Sequence, residues 1–207
     1  MRELSLNVMD VVQNSISAGA DLIEITVEES PAEERLSIEI SDNGRGMTPE
    51  QLRQVTDPFY TTRTTRNIGL GVPLFKMEAE MTGGGFEISS VFGEGTKLRA
   101  SFCTGSIDMI PLGDLEGILH LLITCNPKLD FVYLRKRTGC QAGAGLETGA
   151  DAVKAAGMES DAKKAAEMRV DTRVLKEILG EEVSLNLPEV MSWLREYLTE
   201  QLEMYNA

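Results

Sequence analysis

The chain has 207 residues, of which 42% are hydrophobic and 26% charged, so it can bury a core of its own; wholesale disorder, a collagen repeat and a disulfide scaffold are excluded together. Its net charge is −13, from 20 basic and 33 acidic residues, which opposes binding to nucleic-acid phosphates and to anionic membrane surfaces. No run approaches the roughly 18 apolar residues of a bilayer-spanning helix, the opening lacks a basic start and apolar middle, and the 3 cysteines form no CxxC pair, so a cytoplasmic protein with reduced thiols is expected.

Leu4, Leu6, Val8, Val11, Val12, Ile16 and Ala20 gather on one side of a first helix that Gly19 stops. Ile23, Ile25 and Val27, then Leu36, Ile38 and Ile40 after a turn at Ser30-Pro31, alternate as the two strands of a hairpin. The second strand runs into Asp42-Asn43-Gly44-Arg45-Gly46, which cannot continue a ladder, and Thr48-Pro49-Glu50 reads as a helix cap with proline in the first turn. Residues 57–68, rich in Thr and Arg, read as a loop lying over something. Gly69-Leu70-Gly71 opens a helix expected to bury Leu74, Phe75, Met77 and Met81 and to stop at Gly83-Gly84-Gly85. Strands at 86–91 and 96–102, joined by Gly93-Glu94-Gly95, close a unit over 1–105.

Beyond it, 106–138 reads as an extension packed on the same domain, with a helix through Leu115, Ile118, Leu119, Leu122 and Ile123 and a strand from Phe131 to Leu134. Residues 139–170, where Gly and Ala interrupt any apolar stripe, read as a flexible tether. Residues 171–207 read as two amphipathic helices, one capped by Asp171 and ending at Gly180, the other from Leu187 to Tyr205. The second helix could dock on its own domain or on another protein. His120, the single histidine, reads as a packed or half-buried residue; Cys103 and Cys125 read as small apolar fillers and Cys140 as an exposed thiol.

Four clusters require one explanation. Asp10 and Asn14, one helical turn apart, face the same side and could together hold a metal ion and a water. The Asp42 loop offers a carboxylate that can accept from an exocyclic amine, with Gly44 and Gly46 permitting close approach to a flat ligand. The Asp57 to Arg63 loop supplies Thr and Arg side chains. Gly69 and Gly71 free amides at a helix start, where anions are favoured.

At these residues the sequence resembles the GHKL superfamily of histidine-kinase catalytic domains, gyrase-type topoisomerases, MutL-type ATPases and the heat-shock chaperone ATPase. Asp10-Val-Val-Gln-Asn14 resembles the N box, in wording nearest the MutL kind, and Asp42-Asn43-Gly44-Arg45-Gly46-Met47 the G1 box. Asp57-Pro58-Phe59-Tyr60-Thr61-Thr62-Arg63 resembles the F box and Gly69-Leu70-Gly71 the G2 box, both in the histidine-kinase style, and Gly93-Glu94-Gly95-Thr96 also fits. Any one box is weak evidence, whereas four in order across half the chain are strong.

The resemblance implies an α/β two-layer sandwich of the Bergerat type, a mixed sheet with helices on one face, plus a small carboxy-terminal helical appendage. It implies ATP and Mg2+ as cofactors, with Asn14 as the metal ligand and Asp42 accepting from the adenine amine. Thr96 would support the water network there, Gly44 and Gly46 would wall the base, Gly69 and Gly71 would offer amides to the phosphates under a lid over 57–68 carrying Phe59, Thr62 and Arg63, and Met47 and Leu70 would join the nucleotide site. Asp10 stands where several members carry a catalytic glutamate and is one methylene shorter. Ser17-Ala18 stands where many kinases carry a basic residue. No phosphoacceptor helix hairpin is expected before the N box, and His120 does not resemble a phosphoacceptor. The implied function is a regulatory ATPase or ATP-dependent protein kinase acting on a partner protein, with a bacterial redox or signalling setting; the alternative is a nucleotide-sensing module that catalyses nothing. DNA repair or topology is disfavoured by the acidic surface.

Overall fold

In the computed structural model the described residues are 3–56, 71–138, 166–180 and 183–207. Helix α1 (Leu4–Ser17) buries Leu4, Val8, Val11 and Val12 as one stripe, and Gly19 with φ +76° ends it in the left-handed conformation that glycine adopts at least cost. Strands β1 (Leu22–Ser30) and β2 (Arg35–Asp42) form the expected hairpin. Thr48 and Gln51 make reciprocal capping bonds at the start of α2 (Pro49–Gln54), as the Thr-Pro-Glu signal requires. Helix α3 (Gly71–Met81), β3 (Gly85–Val91) and β4 (Gly95–Cys103) complete the first unit.

Helix α3 differs from expectation in phase. Val72, Phe75 and Ala79 face inward, while Met77 and Met81 are exposed. Glu78 lies on the buried side because the amide of Asn7 on α1 donates to its carboxylate, so a polar pair takes the place that the methionines were expected to fill. Phe75 packs on Phe102 of β4 with ring centroids 5.6 Å apart, and both are fully buried.

Helix α4 (Leu115–Cys125) and strand β5 (Asp130–Arg137) follow, with β5 longer than the Phe131 to Leu134 run. The tether expected over 139–170 ends earlier: Ala166–Asp171 form β6, antiparallel to β5, because Met168 and Val170 alternate inward with exposed Glu167 and Arg169. The remaining tether residues, Cys140 among them, lie outside the described residues. Helices α5 (Thr172–Leu179) and α6 (Pro188–Asn206) occupy the expected spans. Cys125 is exposed rather than a filler, at the last turn of α4.

The strands make one mixed sheet of order β3-β4-β2-β1-β5-β6, parallel only between β1 and β5. Ile23, Ile25 and Val27, Leu36, Ile38 and Ile40, and Leu98, Ala100 and Phe102 point to the face that the helices cover. The opposite face is polar there, with Glu28, Glu39, Lys97 and Arg99 in cross-strand ion pairs. Register fixes this separation, since a slip of one residue would send every apolar side chain to water.

Helix α6 docks on its own domain. Val190, Leu194, Leu198 and Tyr205 are buried, and His120, half-buried on α4, has its Nε2 2.9 Å from the carbonyl oxygen of Met191. At the sheet end farthest from Asp42, Arg135 projects inward from β5. Its Nε donates to Glu29 and its Nη1 to Glu116, each at 2.7 Å. The hydroxyls of Tyr133 and Tyr205 donate to Glu116 and Glu29, and the guanidinium groups of Arg135 and Arg137 lie 4.9 and 4.6 Å from the Tyr205 ring centre. Burial first, then the charge of Glu29, pushes the Tyr205 phenol up to about 12. Every buried charge in this cluster thus has a charged or hydroxyl partner.

Candidate functional site

A cavity of about 400 Å³ opens between α1, α2, the start of α3 and the inner face of the sheet. Its apolar walls are Val11, Ile40, Val55, Val72, Ile88 and Leu98, and its polar groups include Asn14, Ser15, Asp42 and Thr96. A slot of this size with few convergent polar groups suits a flat heteroaromatic ligand bearing a hydrogen-bond donor.

Asp42 ends β2, where Ile23 and Thr96 are its strand neighbours. Ser15 Oγ donates to its Oδ2 at 2.6 Å and the Gly44 amide to its Oδ1 at 2.9 Å. Each oxygen has two lone-pair directions, so the carboxylate is held in place and keeps acceptor capacity. The loop after it is pinned from several sides. Asn43 Oδ1 accepts from the amides of Asp21 and Leu22, the Arg45 amide donates to Ala18 and the Gly93 amide to Arg45.

Two glycines make this docking possible. Gly46 has φ +61° and a β-carbon there would overlap the Val91 carbonyl; Gly95 has φ +130° and one there would overlap the Asp42 carbonyl. The Asp42 loop and the β3–β4 turn therefore meet backbone against backbone.

The sequence-expected residues separate into groups. Asn14, Asp42, Gly46, Met47 and Thr96 line the cavity. Gly44 lies just behind it, its α-carbon packed toward Ala18 and the Asp42 carboxylate. Gly71 opens α3 and sits so close to α1 that a β-carbon would come within 2.9 Å of Asp10 Cβ. Asp10 is exposed and does not line the cavity; it flanks the α3 start. Phe59, Thr62, Arg63, Gly69 and Leu70 lie outside the described residues.

Sequence reasoning missed Ser15, Arg45, Gln51 and Ser90. Ser15 follows Asn14 directly, and its inward position comes from α1 burying Ser15 in the same stripe as Val11 and Val12. Ser90 is visible only in three dimensions: its hydroxyl accepts from the Met47 amide at 2.8 Å, donates to the Gly95 carbonyl at 2.8 Å and lies 2.9 Å from Thr96 Oγ1. It sets the Thr96 hydroxyl and the Met47 loop at once. For a metal, no cluster of three or more His, Cys, Asp or Glu side chains occurs among the described residues. A cation held here would therefore rely on the Asn14 amide oxygen together with oxygens of the ligand, as suits Mg2+, which keeps few protein ligands.

Residues 2–105 match the family described as histidine kinase-, DNA gyrase B- and HSP90-like ATPase. Sensor protein DegM of Bacillus sp. (strain B21-2) is 34% identical over 93 residues, 45% of this chain and 25% of that protein. Sensor protein SrrB of Staphylococcus aureus (strain NCTC 8325 / PS 47) is 37% identical over 101 residues, 46% of this chain and 17% of that protein, so the match spans a quarter or less of either relative. Among solved structures, the N terminal domain of a DNA repair protein aligns with TM-score 0.50 at 17% identity, covering 68% of this chain and 51% of that one, a likeness of fold. With the matched stretch covering half of its length, the chain belongs to the family of histidine kinase-, DNA gyrase B- and HSP90-like ATPases.

Proposed function

We propose that this protein binds ATP in the cavity beside Asp42 and uses it, with Mg2+, to hydrolyse the nucleotide or to phosphorylate a partner protein. The observation that carries the reading is the Asp42 carboxylate, oriented by Ser15 and the Gly44 amide at the end of an apolar slot of about 400 Å³. In this reading Asp42 accepts from the adenine amine, Thr96 and Ser90 hold the adjoining hydroxyl network, and Gly46 and Met47 wall the base. The triphosphate runs along α1 toward the start of α3. There the amides at Gly71 and Val72 favour negative charge, and Asn14 offers its amide oxygen to Mg2+, which would neutralise phosphate charge. Gly69, Leu70, Phe59, Thr62 and Arg63, the other residues assigned to the nucleotide, lie outside the described residues.

Asp10, flanking that end, is the group that would accept a proton from the attacking oxygen. Its exposure and its position off the cavity wall favour a second reading, in which nucleotide binding is sensed by a partner and no turnover occurs. Steady-state assay of Mg-ATP turnover with and without Asp10→Asn separates the two. The enzymatic reading expects turnover to fall on the order of 10²-fold or more with nucleotide affinity unchanged; equal, near-zero turnover in both forms leaves the sensing reading. The chain spans a quarter or less of the sensor proteins it resembles, and a role in bacterial signalling or redox control, in the cytoplasm, belongs to this proposal. No helix among the described residues is long and apolar enough to cross a membrane.

A further inference from the structure

Helix α6 has a second apolar stripe that the described residues cover only in part, with Trp193 37% exposed and Tyr197 half-buried against the core. Leu194, Leu198 and Tyr205 face inward, whereas Trp193, Tyr197 and Met204, spaced i, i+4 and i+11, share a face about 100° away round the helix. Trp193 and Tyr197 stack at 5.5 Å with an interplanar angle of 16°, a flat aromatic platform, and Met204 is 63% exposed. Along the solvent side of this stripe run the exposed Glu189, Glu196, Glu200 and Glu203, none in an ion pair among the described residues. The lone basic residue of the helix, Arg195, points about 160° away from Trp193.

An aromatic stripe bounded by one row of glutamates selects its occupant by charge. Two copies pairing antiparallel through this face would set glutamate against glutamate, and an anionic surface is repelled. We propose that the Trp193–Tyr197–Met204 stripe docks a basic amphipathic helix of a partner protein, its apolar residues on the aromatic platform and its Lys or Arg side chains against the glutamates. The proposal does not depend on the nucleotide reading.

Trp193 is the single tryptophan of the chain and reports the event itself. The full-length protein is titrated with a tryptophan-free amphipathic helix of Leu and Lys, and with the same helix carrying Glu in place of Lys. The expected result is a saturable blue shift of Trp193 emission with the basic helix only, weakened by added salt. Glu196→Lys combined with Glu200→Lys is expected to weaken the basic helix by about tenfold and to admit the acidic one. Trp193→Ala with Tyr197→Ala, followed by calorimetry, is expected to lose binding by a similar factor or more. ADP titration of each variant, expected unchanged, keeps this result separate from the cavity. Equal response to both helices, no response to either, or a dimer in sedimentation that Trp193→Ala dissociates would each overturn the proposal.

Discussion

The two ends of the sheet treat their polar groups in opposite ways. At the β5–β6 end Arg135, Glu29, Glu116, Tyr133 and Tyr205 satisfy one another, and Arg135 is only 11% exposed at its side chain. At the Asp42 end the carboxylate keeps acceptor capacity, Asn14 and Thr96 face a cavity, and glycines replace side chains where backbones meet. Both ends hang on β1, whose residues pair with Asp42 at one extreme and Arg137 at the other. The comparison teaches that closure builds the scaffold at one end, whereas the other end is stabilised only to the degree that leaves groups for a ligand.

Breaking the closed end should have the largest effect. Arg135→Ala leaves buried Glu116 without its cation and Glu29 with Arg137 alone, and stability measured by urea unfolding should fall by about 3 kcal/mol or more. Next is Gly46→Ala, where a β-carbon would overlap the Val91 carbonyl at positive φ. The Asp42 loop must shift, so nucleotide affinity should fall by about tenfold or more in calorimetry while urea unfolding changes less than for Arg135→Ala. Ser90→Ala sharpens the same end: losing one hydroxyl that joins Met47, Gly95 and Thr96 should cost about 1 kcal/mol of affinity or stability, read by the same two measurements. The last effect is confined to high pH. Because Tyr205 titrates near 12 in the folded chain and near 10 when unfolded, the stability it contributes is complete below pH 10 and lost as pH rises from 10 to 12. Tyr205→Phe should show a shallower alkaline loss across that window.

The same contrast explains what could be read in advance. The Asp42 end was legible because each of its needs is local. An acceptor at a strand end, glycines where backbones meet, and a helix start leave residue types at fixed spacing, and Asn14, Asp42, Gly46, Met47 and Thr96 line the cavity together. The closed end left no such trace. Glu29 and Arg135 are 106 positions apart, and neither spacing nor composition marks them as partners. Strand β6 was hidden for a related reason: its six residues hold only Met168 and Val170 as buried apolar signals after a Gly- and Ala-rich stretch, so pairing to β5, not local pattern, makes it a strand. The phase of helix α3 is not legible locally because the burial of Glu78 depends on Asn7, 71 positions earlier.

The central claim is that Asp42 reads the nucleotide base. Calorimetric titration of ATP into the wild-type protein and into Asp42→Asn tests it most directly, because the variant keeps size and one acceptor oxygen yet removes the charge proposed to receive the exocyclic amine. The account predicts measurable heat of binding in the wild type and affinity weaker by about 1.5–3 kcal/mol in the variant, as for a hydrogen bond to a charged group. Equal affinity in the two proteins, or no heat in either, would contradict it.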